Sequence, residues 1–186
     1  MNVSLSVHHQ LSLISPKMNQ ADEFYKLIDK NRDFLNQHIT FADNKKTLDS
    51  VKSFLRELYS FNIGGQKFNL VIQYQGQIIG LIGFHKIDRM HARAEVGYWL
   101  GEDYQGLGIM QQAIPKFLHY GFEALAINKV ELLTLTNHER NIRLIEKLNF
   151  VKEGVLKEHY FMHDSFHDAV VYRMLKSAFL KNTKGV

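Results

Sequence analysis

Gly106 and Gly108 stand two apart in "DYQGLGIM", residues 103–110, where the apolar "EVGYWLG" gives way to a helical pattern. Glycine lets a backbone approach a ligand closely, with no Cβ in the way. The first amides of a helix lack intrahelical partners and carry the positive end of its dipole. Strand, glycines and helix start together make a site for an anion, typically a phosphate. The plain alternative is a turn that simply needs two glycines. The segment lacks the Lys-Ser/Thr of a P-loop, which argues against a magnesium nucleoside triphosphate. It also lacks the three-glycine fingerprint and βαβ setting of a dinucleotide fold. A second cluster, "HDSFHD", places His163 and His167 four apart, but in a turn between strands rather than on a helix, so no metal is expected there. The chain has no cysteine, which excludes disulfides, thiolate metal sites and an acyl-cysteine intermediate.

The elements that must position this loop follow from periodicity. A strand is expected over Val3 to Ser15, stopped by Pro16. A helix follows from Asn19, with Phe24, Leu27 and Ile28 on one face. A second runs over about Thr47 to Asn62, striped by Leu48, Val51, Phe54, Leu55 and Leu58 and ended by Gly64 and Gly65. Three strands come next, Phe68 to Tyr74, Gln77 to Ile87 and Ala92 to Gly101, the first two joined by a tight turn at Gly76. A long helix covers about Leu107 to Ala126, with Pro115 expected to kink it. Lys129 to Thr136 reads as a strand. A helix over Asn137 to Leu148 is expected to start on a Thr136/Glu139 capping box and to end at Asn149, the next best residue to glycine at a left-handed helix end. Two strands, "FVKEGVLKEHYFM" and "FHDAVVYRML", close the chain. The order is β α α β β β α β α β β, a mixed, mostly antiparallel α+β sheet in one domain over 1–180, with 181–186 as a flexible tail.

The chain's 186 residues, 45% hydrophobic and 23% charged, suit one globular domain with a sizeable core. The net charge of +4 would help bind phosphates, but it comes without a basic recognition helix or stacking ladder, so no nucleic-acid role is expected. No apolar run nears the ~20 residues that span a bilayer, and no secretory signal is visible. A cytoplasmic protein with no membrane partner is expected.

The arrangement from "EVGYWLG" through the glycines, the long helix, "KVELLTLT" and "EKLNF" resembles the Gcn5-related N-acetyltransferase (GNAT) family. "IIGLIGFHKID", "AEVGYWLGEDYQGLGIM", "NKVELLT", "EKLNFVKEGVLKE" and "DAVVYRML" resemble its RimL-like ribosomal-protein N-terminal acetyltransferase branch over essentially the whole chain. The resemblance implies a GNAT-like fold with a splayed strand pair holding acetyl-CoA as co-substrate. In that family Q/R-x-x-G-x-G/A cradles the pyrophosphate. Here Asp103 stands at the first position, while Gly106 and Gly108 are kept, and Gln105, Leu107, Ile109 and Met110 beside them are the further candidates to meet the cofactor, the last two through the amides that follow the loop. The backbone at Tyr98, Trp99 and Leu100 would bond the pantetheine amides, the side chain of Trp99 being equally readable as core. Asn141 falls where the family usually has a small residue such as Ser or Ala, and His138 where Asn is common, so Asn137 is the candidate to take over that contact. Thr134 could bond the thioester region.

Acetyl transfer to an amine needs a base for the ammonium proton, a donor for the oxyanion and an acid for the thiolate. Glu95 is the first candidate base, to be weighed against a carboxylate paired with Arg93 or Lys86. Glu158 and His159 are lesser ones. Tyr160 stands in a window that can be acidic in such relatives; its phenol could donate to the thiolate, shape a peptide pocket or simply pack on the sheet. Asn141 belongs to the same group, although an amide cannot protonate a thiolate. The resemblance implies direct transfer to a protein N-terminal amine, such as that of a ribosomal protein. A small-amine acceptor, polyamine or aminoglycoside, and a catalytically weak CoA-binding regulatory module remain as alternatives. Relatives are often dimers, so a homodimer is a further expectation.

Overall fold

The computed structural model describes residues 2–37, 39 and 42–183. The chain divides into two units, residues 1–85 with 98–117, and residues 86–97 with 118–186.

The first unit starts with β1 (Ser4–His8) and β2 (Leu11–Ile14). They form an antiparallel hairpin, not the single strand expected over Val3 to Ser15. "HHQ" interrupts the apolar alternation, so nothing holds the chain extended there, and the Gln10 N–H donates to His8 Nδ1 at 3.2 Å in the turn. Leu11 and Leu13 are buried beyond it. Next come α1 (Ala21–Lys30), the short α2 (Arg32–Asn36) and α3 (Leu48–Gly64). Thr47 and Ser50 cap α3 reciprocally, each side chain taking the other's backbone N–H at 3.2 Å. Gly65 ends the helix at φ 68°. Val51, Leu55 and Leu58 of α3 pack with Phe24 and Ile28 of α1 in one buried cluster, the stripes that the spacing predicts. Strands β3 (Phe68–Tyr74) and β4 (Gln77–Asp88) follow, and the order is β1-β2-β3-β4, antiparallel throughout. Gln75 and Gly76 make the two-residue β3–β4 turn with φ of 50° and 81°, the left-handed pair that such hairpins require. The unit also holds the end of β5 (Arg93–Leu100) and the start of α4 (Ile109–Ala124), whose Phe117 stacks on Phe84 at 4.3 Å.

The second unit holds the start of β5, the end of α4, β6 (Lys129–Leu135), α5 (Glu139–Lys147), β7 (Val151–Met162), β8 (Ser165–Leu175) and α6 (Lys176–Thr183). Its strand order is β5-β6-β8-β7. The β5–β6 ladder is parallel and runs for three pairs only, ending at Glu95↔Glu131, while the others are antiparallel. Two expectations change here. Helix α5 begins at Glu139 with His138 as an N-cap that makes no side-chain cap bond. Thr136 lies two residues before that N-cap, and the N–H that a capping box would give to the Glu139 carboxylate goes to the Asp168 carbonyl at 3.2 Å. At the other end Asn149 does sit left-handed, at φ 62°. The tail expected over 181–186 starts inside α6, where Phe179 packs on Phe122 with ring centroids 5.2 Å apart; residues 184–186 lie outside the described residues. The mixed, mostly antiparallel α+β class is as expected.

Gly80 on β4 fixes a close approach: a Cβ there would lie 2.1 Å from the Trp99 carbonyl oxygen. Overpacking of this kind costs about 1–3 kcal/mol, so Gly80→Ala should lower Tm by roughly 3–10 °C. A Tm within a degree of the parent in a calorimetric scan would show that the backbone yields freely.

Candidate active site

In the first unit the glycine segment is held at both ends. Before it, a single 3-10 turn covers Glu102–Tyr104. Asn31, buried at the end of α1, accepts the Glu102 N–H at 2.7 Å and donates to the Leu27 carbonyl at 2.8 Å. Gly101 leaves room for that side chain, since its Cβ would stand 3.2 Å from Asn31 Nδ2. Lys30 Nζ meets Asp103 at 2.5 Å, and the Tyr104 hydroxyl donates to Gln77 at 3.1 Å. Asp103 therefore has a partner on α1, and the Gln105 amide reaches the Leu100 carbonyl at 3.3 Å. Gly106 and Gly108 take φ of 82° and 71°, and α4 starts at the next residue. Leu107 is exposed, while the side chains of Ile109 and Met110 are buried. The first amides of α4 are what such a loop offers an anion. Nothing lies within 4 Å of a Cβ built on Gly108, so the space beside it is open.

Just upstream, Trp99 stands edge-on to Phe24 at 5.7 Å, an ordinary core contact that leaves its backbone for any ligand. Tyr98 is half-buried, and burial pushes its phenol pKa well up.

In the second unit Glu95 occupies the last β5–β6 pair and faces Lys86 Nζ at 3.3 Å. Arg93 goes instead to Asp88 at 3.2 Å, so of the two cations weighed for Glu95 only Lys86 pairs with it. Asp88 also takes the N–H and ring of His91, and these bonds hold its carboxyl below the usual range. Tyr160 on β7 is half-buried, pairs in register with His167 and meets the His159 ring at 4.8 Å. Burial first, and the charge of Glu95 second, raise the Tyr160 phenol pKa. The structure thus brings Glu95 and Tyr160 within electrostatic reach.

Asn141 Nδ2 donates to Thr134 Oγ1 at 3.0 Å, and Thr134 is buried. Asn137 is exposed before α5. Glu158 and His159 are exposed in a bulge of β7. His163 lies in the hairpin turn with a left-handed backbone, and His167 Nε2 engages Ser165 Oγ at 2.8 Å and the Met162 carbonyl at 3.1 Å. No group of three or more His, Asp or Glu among the described residues could hold a metal. Sequence reasoning missed Asn31, because an asparagine after a helix reads as a solvated end. Only its contact with the loop 71 residues later marks it.

In the second unit the parallel ladder stops after three pairs, and in the first the double-glycine segment runs straight into α4. The chain belongs to the acetyltransferase (GNAT) domain family, which it matches over residues 10–151. It is 29% identical to a Bacillus subtilis (strain 168) protein, YdaF, whose name proposes ribosomal N-acetylation, over 91% of this chain and 92% of that one. It is 24% identical to the ribosomal-protein-serine acetyltransferase of Escherichia coli (strain K12), over 92% and 96%, and 28% identical to the spermidine N(1)-acetyltransferase of the same strain, over 70% of each. Its fold is that of the RimL ribosomal α-N-protein acetyltransferase solved with coenzyme A: TM-score 0.91, 20% identity, covering 95% of this chain and 99% of that one. No helix among the described residues is long and apolar enough to cross a membrane.

Valine at φ 71° is strained, and its methyls would fill the open space beside the loop. Gly108→Val should therefore weaken CoA binding at least about tenfold, or roughly 1.4 kcal/mol, while the protein stays folded. Calorimetric titration with CoA checks this, and an unchanged Kd would refute the loop as the phosphate site.

Proposed function

We propose that this acetyltransferase acts on the N-terminal α-amine of a protein, a ribosomal protein being the favoured acceptor. Relatives named for ribosomal-protein acetylation align over more than nine-tenths of the chain, and the spermidine enzymes over 70%. In this reading the amides from Gly106 to Met110 take the CoA pyrophosphate, and backbone groups of Tyr98 to Leu100 face the pantetheine arm. Asn137 and Asn141 supply amide donors to the co-substrate.

Glu95 receives the ammonium proton, directly or through water. The freed amine nitrogen attacks the thioester carbonyl carbon, the new C–N bond forms, and the C–S bond breaks. Tyr160 gives its proton to the departing sulfur and takes back the one that the newly bonded nitrogen sheds on becoming an amide, while Glu95 passes the ammonium proton to solvent. What supports this division is the half-buried place of Tyr160, where burial first and the Glu95 charge second raise its phenol pKa. A phenol whose pKa is raised above 10 keeps its proton throughout the neutral range, which suits an acid and not a base.

Thiol release from acetyl-CoA, measured with peptides bearing N-terminal serine or alanine and with spermidine, tests the acceptor. The peptides should turn over faster; spermidine ahead of every peptide would reverse the proposal, and no release with any amine would leave only a CoA-binding module.

With the best peptide, Tyr160→Phe should lower kcat by about 10²–10³ and Glu95→Gln by roughly 10² or more. The sign of the pH effect follows from the raised phenol pKa. The proton is present below that pKa and lost above it, so the rate should fall on the alkaline side only beyond about pH 10. A native-like rate for Tyr160→Phe would remove the phenol from the chemistry.

A further inference from the structure

β7 and β8 do not pair evenly. Leu156 faces Ala169 and Tyr160 faces His167, so three residues of β7, Lys157, Glu158 and His159, stand opposite Asp168 alone. The bulge is built around that one carboxylate. Asp168 Oδ1 accepts the Glu158 N–H at 2.9 Å, and Oδ2 accepts Lys157 Nζ at 2.7 Å. Glu158 is left-handed at φ 51°, a conformation that costs a non-glycine residue about 1–2 kcal/mol and so needs outside support. The Asp168 carbonyl accepts the Thr136 N–H at 3.2 Å, which ties the same residue to the end of β6.

The bulge decides where Tyr160 stands. With even pairing from Leu156, residue 158 would face His167, and Tyr160 would fall two residues further along β7. At about 3.3 Å per residue that is a displacement of roughly 7 Å, enough to take a phenol out of reach of a reacting sulfur. A shift of two keeps the side chain on the same face of the sheet, so the bulge alters distance and not direction. Within the observed register the phenol lies where the charge of Glu95 acts on it. The groups around it are Glu95, His159 and its register partner His167.

We infer that Asp168 is a positioning residue for acetyl transfer: by fastening the β7 bulge through the Glu158 N–H and the Lys157 ammonium, it holds Tyr160 opposite His167. This rests on the reading of Tyr160 as the proton donor. Lys157 is the lesser tie, because its side chain is 80% exposed and water competes for the ammonium. Asn at 168 keeps an oxygen for the Glu158 N–H and loses the ion pair, while Ala loses both.

The test uses the whole chain with acetyl-CoA and the best N-terminal peptide. Misplacing a reacting group by about an ångström can cost on the order of 10²-fold, so Asp168→Ala should lower kcat by that order with KM for acetyl-CoA unchanged. Asp168→Asn and Lys157→Ala each lose only the ion pair, so both should fall between Asp168→Ala and the parent, and to a similar extent. In a Tyr160→Phe background Asp168→Ala should add almost nothing, since the two act as one unit. A second readout needs no turnover. The Tyr160 titration is the near-ultraviolet difference between a protein and its Tyr160→Phe partner, and Asp168→Ala should move it down toward pH 10. A full, independent loss of rate in the Tyr160→Phe background, or an unmoved Tyr160 titration in a folded Asp168→Ala protein, would overturn the inference. A native-like Tyr160→Phe would instead sink the donor reading, and the titration would still decide whether Asp168 places the ring.

Discussion

Two left-handed residues in quick succession, Gly106 and Gly108, are the constraint on which the first unit turns. They bring the chain from the end of β5 into α4 with the helix's first amides unspent. The surrounding residues serve that geometry. Asn31 spends both ends of its amide on the loop and on α1, Gly101 gives it room, and Lys30 and Tyr104 fasten the exposed side. An asparagine so used is costly to replace, because removing it takes the acceptor from the Glu102 N–H and the donor from the Leu27 carbonyl together. The departure at Asp103 belongs to this scheme. The side chain is a tether to Lys30, and the amides proposed to hold phosphate, those of the two glycines and the start of α4, do not depend on it.

In the second unit the proposed acid and base, Tyr160 and Glu95, sit in surroundings of opposite kind. Glu95 ends the short β5–β6 ladder facing Lys86. Tyr160 is half-buried on β7, and both its burial and the neighbouring carboxylate favour the protonated phenol. The electrostatics of the pair therefore keep the proton on the phenol through the neutral range. Pairs whose surroundings assign opposite protonation roles are what acid–base chemistry at neutral pH requires.

Much of this was legible in the residues. The stripes of α1 and α3, the Gln75–Gly76 turn and Asn149 at a left-handed helix end are local, and local rules found them. The glycine loop was legible because glycine at positive φ has few substitutes. The β1–β2 hairpin was not, because its turn has no glycine or proline and its register is set by pairing with β3. The late start of α5 depends on Thr136 being held by Asp168, 32 residues away in sequence. Asn31 and Asp168 escaped for the same reason: each acts through a partner distant in the chain. The three-residue bulge in β7 left no trace in the alternation of "VKEGVLKEHYF", because most of that strand is exposed on both faces and apolar periodicity carries no register there.

The most direct measurement is an amide NMR titration of the folded protein with CoA and, separately, with pantetheine. If the glycine loop and the start of α4 hold the pyrophosphate, the amides of residues 106–111 shift strongly with CoA and stay in place with pantetheine. Loop amides unmoved by CoA, or moved equally by the phosphate-free arm, would contradict the account.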